Sequence, residues 1–359
     1  SRKKRMSILN TKNVDTTKEP IFLGQPLGLQ RFDRYKYPVF FDLFNKQLTF
    51  FWRPEERDLS LDRNQFAELE PHEKRIFTKN LLFQTMLDSV VARGVPSFTQ
   101  YVTNPELEIC LNTWGFFENI HSYSYTYIIK NVYADPSKIL DQCLEDPEIL
   151  KRADSVTKHY DALNEKIEGL DDLRKKIYLS LVSVNILEGL RFYVSFVCAF
   201  AFGENKKMLG NSNIIKLIRR DESVHMFTTQ TIVNILKQNK DEGFQDIIKD
   251  CEQDAIDMFL SAVEEEKAWA KYLFKEGSIL GLNEQILSNY IEWLCDVRMR
   301  DLGLPKQFNT KNPIGGWLEP WMDSSSVQVA PQETEISSYL ISSSVSDVEK
   351  TDFSDMSLD

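Results

Sequence analysis

Glu118-Asn-Ile-His121 and Glu222-Ser-Val-His225 are the two stretches on which the fold of this chain turns. Each lies in a long segment with helical apolar spacing. Residues three apart on a helix are neighbours on one face, so each stretch aims a carboxylate and an imidazole at one point. The chain has four histidines, and two of them carry this pattern. A single pair binds nothing tightly. Two pairs on facing helices, joined by a carboxylate from each of two further helices, build a dinuclear carboxylate site inside a helical bundle.

Both further acids are present. Glu188 stands in Leu179-Ser-Leu-Val-Ser-Val-Asn-Ile-Leu-Glu188-Gly-Leu-Arg-Phe-Tyr-Val-Ser-Phe-Val-Cys-Ala-Phe200, where a lone ionised carboxylate is costly unless paired or metal-bound. Asp88 occupies the same kind of place in Leu81-Leu-Phe-Gln-Thr-Met-Leu-Asp88-Ser-Val-Val. The order is acid, Glu-x-x-His, acid, Glu-x-x-His, with 30 residues from Asp88 to Glu118 and 34 from Glu188 to Glu222. Two helix hairpins would then each supply half a site. Taken singly, His121 or His225 reads as a hydrogen-bonded core histidine and Glu188 as a partner of Arg191; as a set of six they read as metal ligands. Four carboxylates and two imidazoles without a thiolate suit iron or manganese better than zinc or copper. Tyr125 shares the face of Glu118 and His121 to within about 60° of arc, so its phenol can reach the metals. Phe192 and Phe196 are expected to wall that phenol with apolar surface, which would protect an oxidised tyrosine. The plainer alternative is a core aromatic with a satisfied hydroxyl in a tyrosine-rich helix.

The rest of the chain supports an all-α fold, a ferritin-like bundle of long helices. Over 359 residues, Gly (14) and Pro (13) are scarce, which disfavours a many-stranded fold with frequent turns. Apolar periodicity places helices at about 37–50, 71–93, 104–132, 147–166, 171–203, 207–237, 243–275 and 283–302. Pro71 suits a first helical turn, and Asp171 and Asp172 suit a helix N-terminus. Residues 1–36 read as an irregular N-terminal arm, 37–322 as the metal-binding domain and 323–359 as a disordered acidic tail. That tail carries eight acidic residues and one lysine, −7 of the net −11, with Tyr339, Leu340, Ile341, Phe353, Met356 and Leu358 as apolar beads. A net negative chain disfavours a nucleic-acid partner. The five cysteines include no CxxC pair and support neither a disulfide framework nor a thiolate zinc site. No uninterrupted apolar run of membrane length is seen, so a soluble, cytoplasmic protein is expected. The basic start, Ser1 to Met6, lacks an apolar segment behind it and reads as a solvated extension.

These residues resemble the radical-generating small (β) subunit of class I ribonucleotide reductase. The likeness runs from Glu19-Pro-Ile-Phe-Leu-Gly-Gln-Pro26 through Gln47-Leu-Thr-Phe-Phe-Trp-Arg-Pro-Glu-Glu56, Glu118-Asn-Ile-His-Ser-Tyr-Ser-Tyr125, Asn185-Ile-Leu-Glu-Gly-Leu-Arg-Phe-Tyr-Val-Ser-Phe196 and Arg220-Asp-Glu-Ser-Val-His225 to Gln328-Val-Ala-Pro-Gln-Glu-Thr-Glu-Ile-Ser-Ser-Tyr339. It implies two iron ions per chain, oxo-bridged when oxidised, with manganese possible. Asp88, Glu118 and His121 would bind one metal, and Glu188, Glu222 and His225 the other. Tyr125 matches the tyrosine that O₂ and the reduced centre convert to a stable radical. Trp52 and Asp221 match the inner end of a radical-transfer route, with Asp221 holding His121. Tyr339 and Glu333 match tail residues that serve transfer to the large catalytic subunit, where Phe353 to Asp359 would dock. A homodimer is expected, and the ribonucleotide itself would bind on the partner, since this chain has no GxGxxG or GxxxxGK[ST] phosphate cradle.

Tyr123 stands where close relatives often carry a basic residue, and is expected to place a second phenol near the radical. The connection at 164–172 is shorter than in several relatives. Tyr125 in place of Phe, and Asp88 in place of Glu, argue against the subclass that stores its oxidant on a manganese–iron pair. Two rivals share the six-ligand logic: a diiron oxygenase or desaturase acting directly on an organic substrate, and a non-enzymatic iron-storage or structural helical protein.

Overall fold

The computed structural model describes residues 8–323. Tyr339, Glu333 and the expected docking peptide lie outside the described residues. Among the described residues the arm up to Tyr37 holds one short helical turn, Thr16–Lys18, and it is pinned where the buried Glu242 carboxylate accepts from Ile21 N–H (2.7 Å), Lys36 Nζ (2.6 Å) and the Tyr37 hydroxyl.

The helices follow in order: α1 Pro38–Thr49, α2 Ser60–Glu68, α3 Pro71–Thr99, α4 Pro105–Val132, α5 Pro136–Glu145, α6 Pro147–Asp161, α7 Leu170–Ile186, a π-turn Leu187–Arg191, α8 Phe192–Glu204, α9 Leu209–Gln238, α10 Gln245–Asp250, α11 Glu252–Leu273, α12 Glu284–Asp301 and the short α13 Glu319–Met322. α3, α4, α7–α8 and α9 are the long elements of the core: α3 packs on α4 and α8, and α9 packs on α4, α7 and α8. Side-chain caps set the starts of α3 and α4. Pro71 opens α3 inside a capping box made by Glu70 and Glu73. Asn104 accepts from Leu107 N–H at 2.8 Å to cap α4. Asp171 and Asp172 occupy the first turn of α7.

Four expected boundaries change. α3 runs past residue 93 through Gly94 and Pro96 to Thr99. Gly94 is there because the Tyr160 ring of α6 lies on it; a Cβ would meet that ring at 2.8 Å. The expected helix 171–203 is interrupted at Glu188 by the π-turn, in which Phe192 N–H donates to Leu187 O. The expected helix 243–275 breaks at Cys251, and the expected helix 147–166 ends at Asp161 before a short turn at Ala162–Asn164. α2 and α5 have no counterpart among the expected helices. By length and composition Leu170–Glu204 is apolar enough to span a membrane, but its most apolar window is wholly buried, so packing accounts for its apolarity.

Candidate metal centre

Each of the four core segments brings one acid or one Glu-x-x-His to a common point: Asp88 from α3, Glu118 and His121 from α4, Glu188 from the π-turn, Glu222 and His225 from α9. All six are at most 1% exposed. Their ligand atoms form two clusters, Asp88, Glu118, His121 and Glu222 in one, Glu118, Glu188, Glu222 and His225 in the other, each within 4.8 Å. Glu118 and Glu222 belong to both. Each cluster contains one of the two triads expected from the resemblance, with one further carboxylate drawn from the other triad.

The detailed geometry fits cations better than hydrogen bonding. His121 Nδ1 lies 3.0 Å from Glu222 and 3.3 Å from Glu118; His225 Nδ1 lies 2.9 Å from Glu118, 3.4 Å from Glu222 and 3.9 Å from Glu188. Yet neither Nδ1 is aligned for a hydrogen bond. Both oxygens of Asp88, Glu188 and Glu222, and one of Glu118, likewise lack a partner. Buried polar atoms are ordinarily satisfied, so this many unpartnered atoms aimed at one volume fit a set of metal ligands. The Glu188–Arg191 pairing does not occur: Arg191 binds Glu265 at 2.8 Å and Glu266 at 3.2 Å instead.

The electrostatics follow from crowding. Burial, then the neighbouring Glu118 charge, hold Asp88 well above the usual carboxylate range. Burial opposes charge on Glu118 too, but two imidazoles outweigh it and keep its pKa low. His225 is pushed up to about 9, its burial overcome by Glu118 and Glu222. His121 is also raised well above its ordinary value: burial is overcome first by Asp221, then by Glu118 and Glu222.

Tyr125 is fully buried, and its hydroxyl has no hydrogen-bond partner among the described residues. Burial, then Asp88 beside it, push the phenol well above its ordinary pKa. Phe192 and Phe196 are fully buried and stacked, 6.0 Å between centroids. Asp221 Oδ2 accepts from Trp52 Nε1–H at 2.9 Å and meets His121 Nε2 at 2.7 Å, so Trp52, Asp221 and His121 form one connected chain. Tyr123 departs from expectation. Two positions from Tyr125 on a helix means the opposite side, and Tyr123 is 48% exposed, hydrogen-bonded to Glu55.

Sequence reasoning missed Trp114. Its Nε1–H donates to Glu118 at 2.8 Å and its ring stacks on His225, 4.7 Å between centroids and 14° from parallel. Its place four residues before Glu118 is the signal that could have found it.

A family model described as "Ribonucleotide reductase, small chain" matches residues 30–313. The chain is 46% identical to the ribonucleoside-diphosphate reductase subunit beta of Haemophilus influenzae, covering 96% of this chain and 97% of the relative. It is 45% identical to ribonucleoside-diphosphate reductase 1 subunit beta of Escherichia coli O157:H7, over 97% and 98%. Among solved structures, the ribonucleotide reductase R2 subunit from Clostridium botulinum superposes with a TM-score of 0.80 at 31% identity, over 88% of this chain and 97% of that one. Agreement this long, in a ferritin-like helical core, means that the chain belongs to the small-chain (β) family of ribonucleoside-diphosphate reductase.

Proposed function

We propose that the chain generates and stores a radical on Tyr125 and passes it to a large catalytic subunit that reduces ribonucleotides to deoxyribonucleotides. The observation that carries this reading is the convergence of six buried side chains with unpartnered ligand atoms beside a buried phenol that also lacks a partner. Asp88, Glu118, His121, Glu188, Glu222 and His225 would hold two iron ions, Glu118 and Glu222 shared between them; the same donors accept manganese. Such a pair, with O₂, supplies the power to remove one electron from a phenol.

The remaining work belongs to the chain. Burial and Asp88 keep the Tyr125 phenol protonated, so its electron leaves together with the hydroxyl proton and the product is a neutral radical. Enclosure in the core keeps water and reductants from it. The connected chain from His121 through Asp221 to Trp52 gives the oxidising equivalent a way outward, Trp52 Nε1–H donating to the Asp221 oxygen that His121 Nε2 also meets. Glu333 and Tyr339 in the acidic tail would continue that route, and the segment from Phe353 would dock on the large subunit. A homodimer in the cytoplasm completes the reading. Exposed apolar surface at Leu48, Phe51 and Phe116 supports self-association, and five buried free thiols suit a reducing compartment.

The test is Tyr125→Phe mixed with the large subunit. Ribonucleoside-diphosphate reduction is expected to vanish while the variant stays folded. Full activity would overturn the proposal.

A further inference from the structure

The π-turn carrying Glu188 is held from outside by a helix that contributes no ligand. Arg298 of α12 is fully buried, and its Nε–H donates to the Gly189 carbonyl at 2.9 Å. That is the one side-chain hydrogen bond Arg298 makes among the described residues; neither terminal nitrogen donates another. Its guanidinium lies over the Tyr193 ring, 4.7 Å from the centroid, with Asp301 Oδ2 3.8 Å away. Asp301 also accepts from Gln230 Nε2 of α9 at 3.2 Å. A buried cation is expensive unless its partners are well placed, and here its hydrogen bond goes to the backbone residue next to Glu188.

Position 189 is shaped for this approach. A Cβ there would meet Arg298 Cδ and Nε at 3.2 Å and Met226 Sδ at 2.9 Å. A mid-helix glycine is disfavoured relative to alanine, so local helix propensity does not account for it.

We propose that Arg298 is a positioning residue: through Gly189 it locks the 187–191 turn in its π register and thereby fixes the Glu188 carboxylate against Glu222 and His225. Neither Glu188 oxygen has a hydrogen-bond partner, so the backbone turn sets where this carboxylate sits. Relaxation to ordinary α geometry would rotate Glu188 about the helix axis, away from the shared site. The second candidate metal position, containing Glu188 and His225, depends on this latch; Asp88 and His121 are supplied by other elements, α3 and α4.

The inference rests on the dinuclear reading above, and the experiment separates the two. Full-length apoprotein is titrated with Mn(II), free ion being read by electron paramagnetic resonance, for wild type, Arg298→Lys and Gly189→Ala. The lysine variant keeps the charge and loses the fixed Nε–H; the alanine variant keeps Arg298 and displaces it from the carbonyl. The latch predicts two equivalents in wild type. In both variants the first is bound nearly as in wild type and the second about 10- to 100-fold more weakly, the range typical for loss of a group that orients a ligand. Circular dichroism and apoprotein melting serve as fold controls. Folded variants that bind both equivalents as wild type does, or lose both equally, overturn the latch alone. Collapse of both variants also overturns it, since a general core cation would behave so. A wild type that binds fewer than two equivalents overturns the dinuclear reading and the latch with it.

Discussion

Glu118 belongs to both candidate ligand clusters, and one indole nitrogen already holds one of its oxygens. The Trp114 Nε1–H bond occupies Oε1 of Glu118 and leaves Oε2 without a protein partner. Trp114→Phe keeps an aromatic ring for His225 to stack on and removes the donor, so metal affinity is expected to fall about 10-fold, at the low end for loss of such a partner, with the apoprotein still folded. Competition against a chelator checks this; unchanged affinity would show that the indole merely fills space. The six candidate ligands were legible in the sequence because an ionisable side chain in an apolar helix is too costly to bury without a partner or a metal. Asp221 and Trp52 were not legible that way. Residue spacing does not join positions 169 apart, and only the family resemblance pointed to them. Tyr123 is two positions from Tyr125 in sequence yet not beside it in space; helical geometry sends it to the surface next to Glu55.

Among the elements, α3, α4, α7 to α8 and α9 were visible as long periodic segments, whereas α2 and α5 were too short, and in α2 too polar, to stand out. The π-turn was invisible because no residue type demands it: a carbonyl partner from α12 and a glycine beside it hold it, and both are tertiary facts. A second tertiary device joins α6 to α11. Arg152 donates to Glu266 at 3.0 Å and to the Glu265 carbonyl at 2.9 Å, and its guanidinium lies 4.3 Å from the centre of the Trp269 ring. Burial pulls the Arg152 pKa down to about 10, against Glu266, which burial raises. Removing one side of such a buried pair costs about 3–5 kcal/mol because the remaining charge stays buried. Arg152→Ala should therefore lower apoprotein stability by about that much in denaturant unfolding. A loss below about 1 kcal/mol would mean that Arg191, which also contacts Glu266, carries the charge alone.

Over the described residues, the core is all-α as its composition implied, and its titration behaviour has a legible component away from the candidate metal site. Burial, with Lys158 nearby, depresses His159 from 6.5 to about 4, Asp254 opposing. The folded state then binds fewer protons than the unfolded state between those values, so this group's contribution is intact above pH 6.5 and is lost as pH falls toward about 4. His159→Gln should flatten that part of the apoprotein stability profile, measured by urea midpoints across the window; an unchanged slope would contradict the assignment. The proposed function, by contrast, depends on the fully assembled interior, where four helical segments bring together two candidate ligand clusters and the buried Tyr125 lies beside Asp88. Electron paramagnetic resonance after addition of Fe(II) and O₂ to the full-length protein reads that arrangement without an intermediary. A persistent tyrosyl signal is expected in wild type, absent in Tyr125→Phe and surviving in Tyr123→Phe. No signal in wild type, or the same signal in Tyr125→Phe, would contradict the assignment of the radical to this buried phenol.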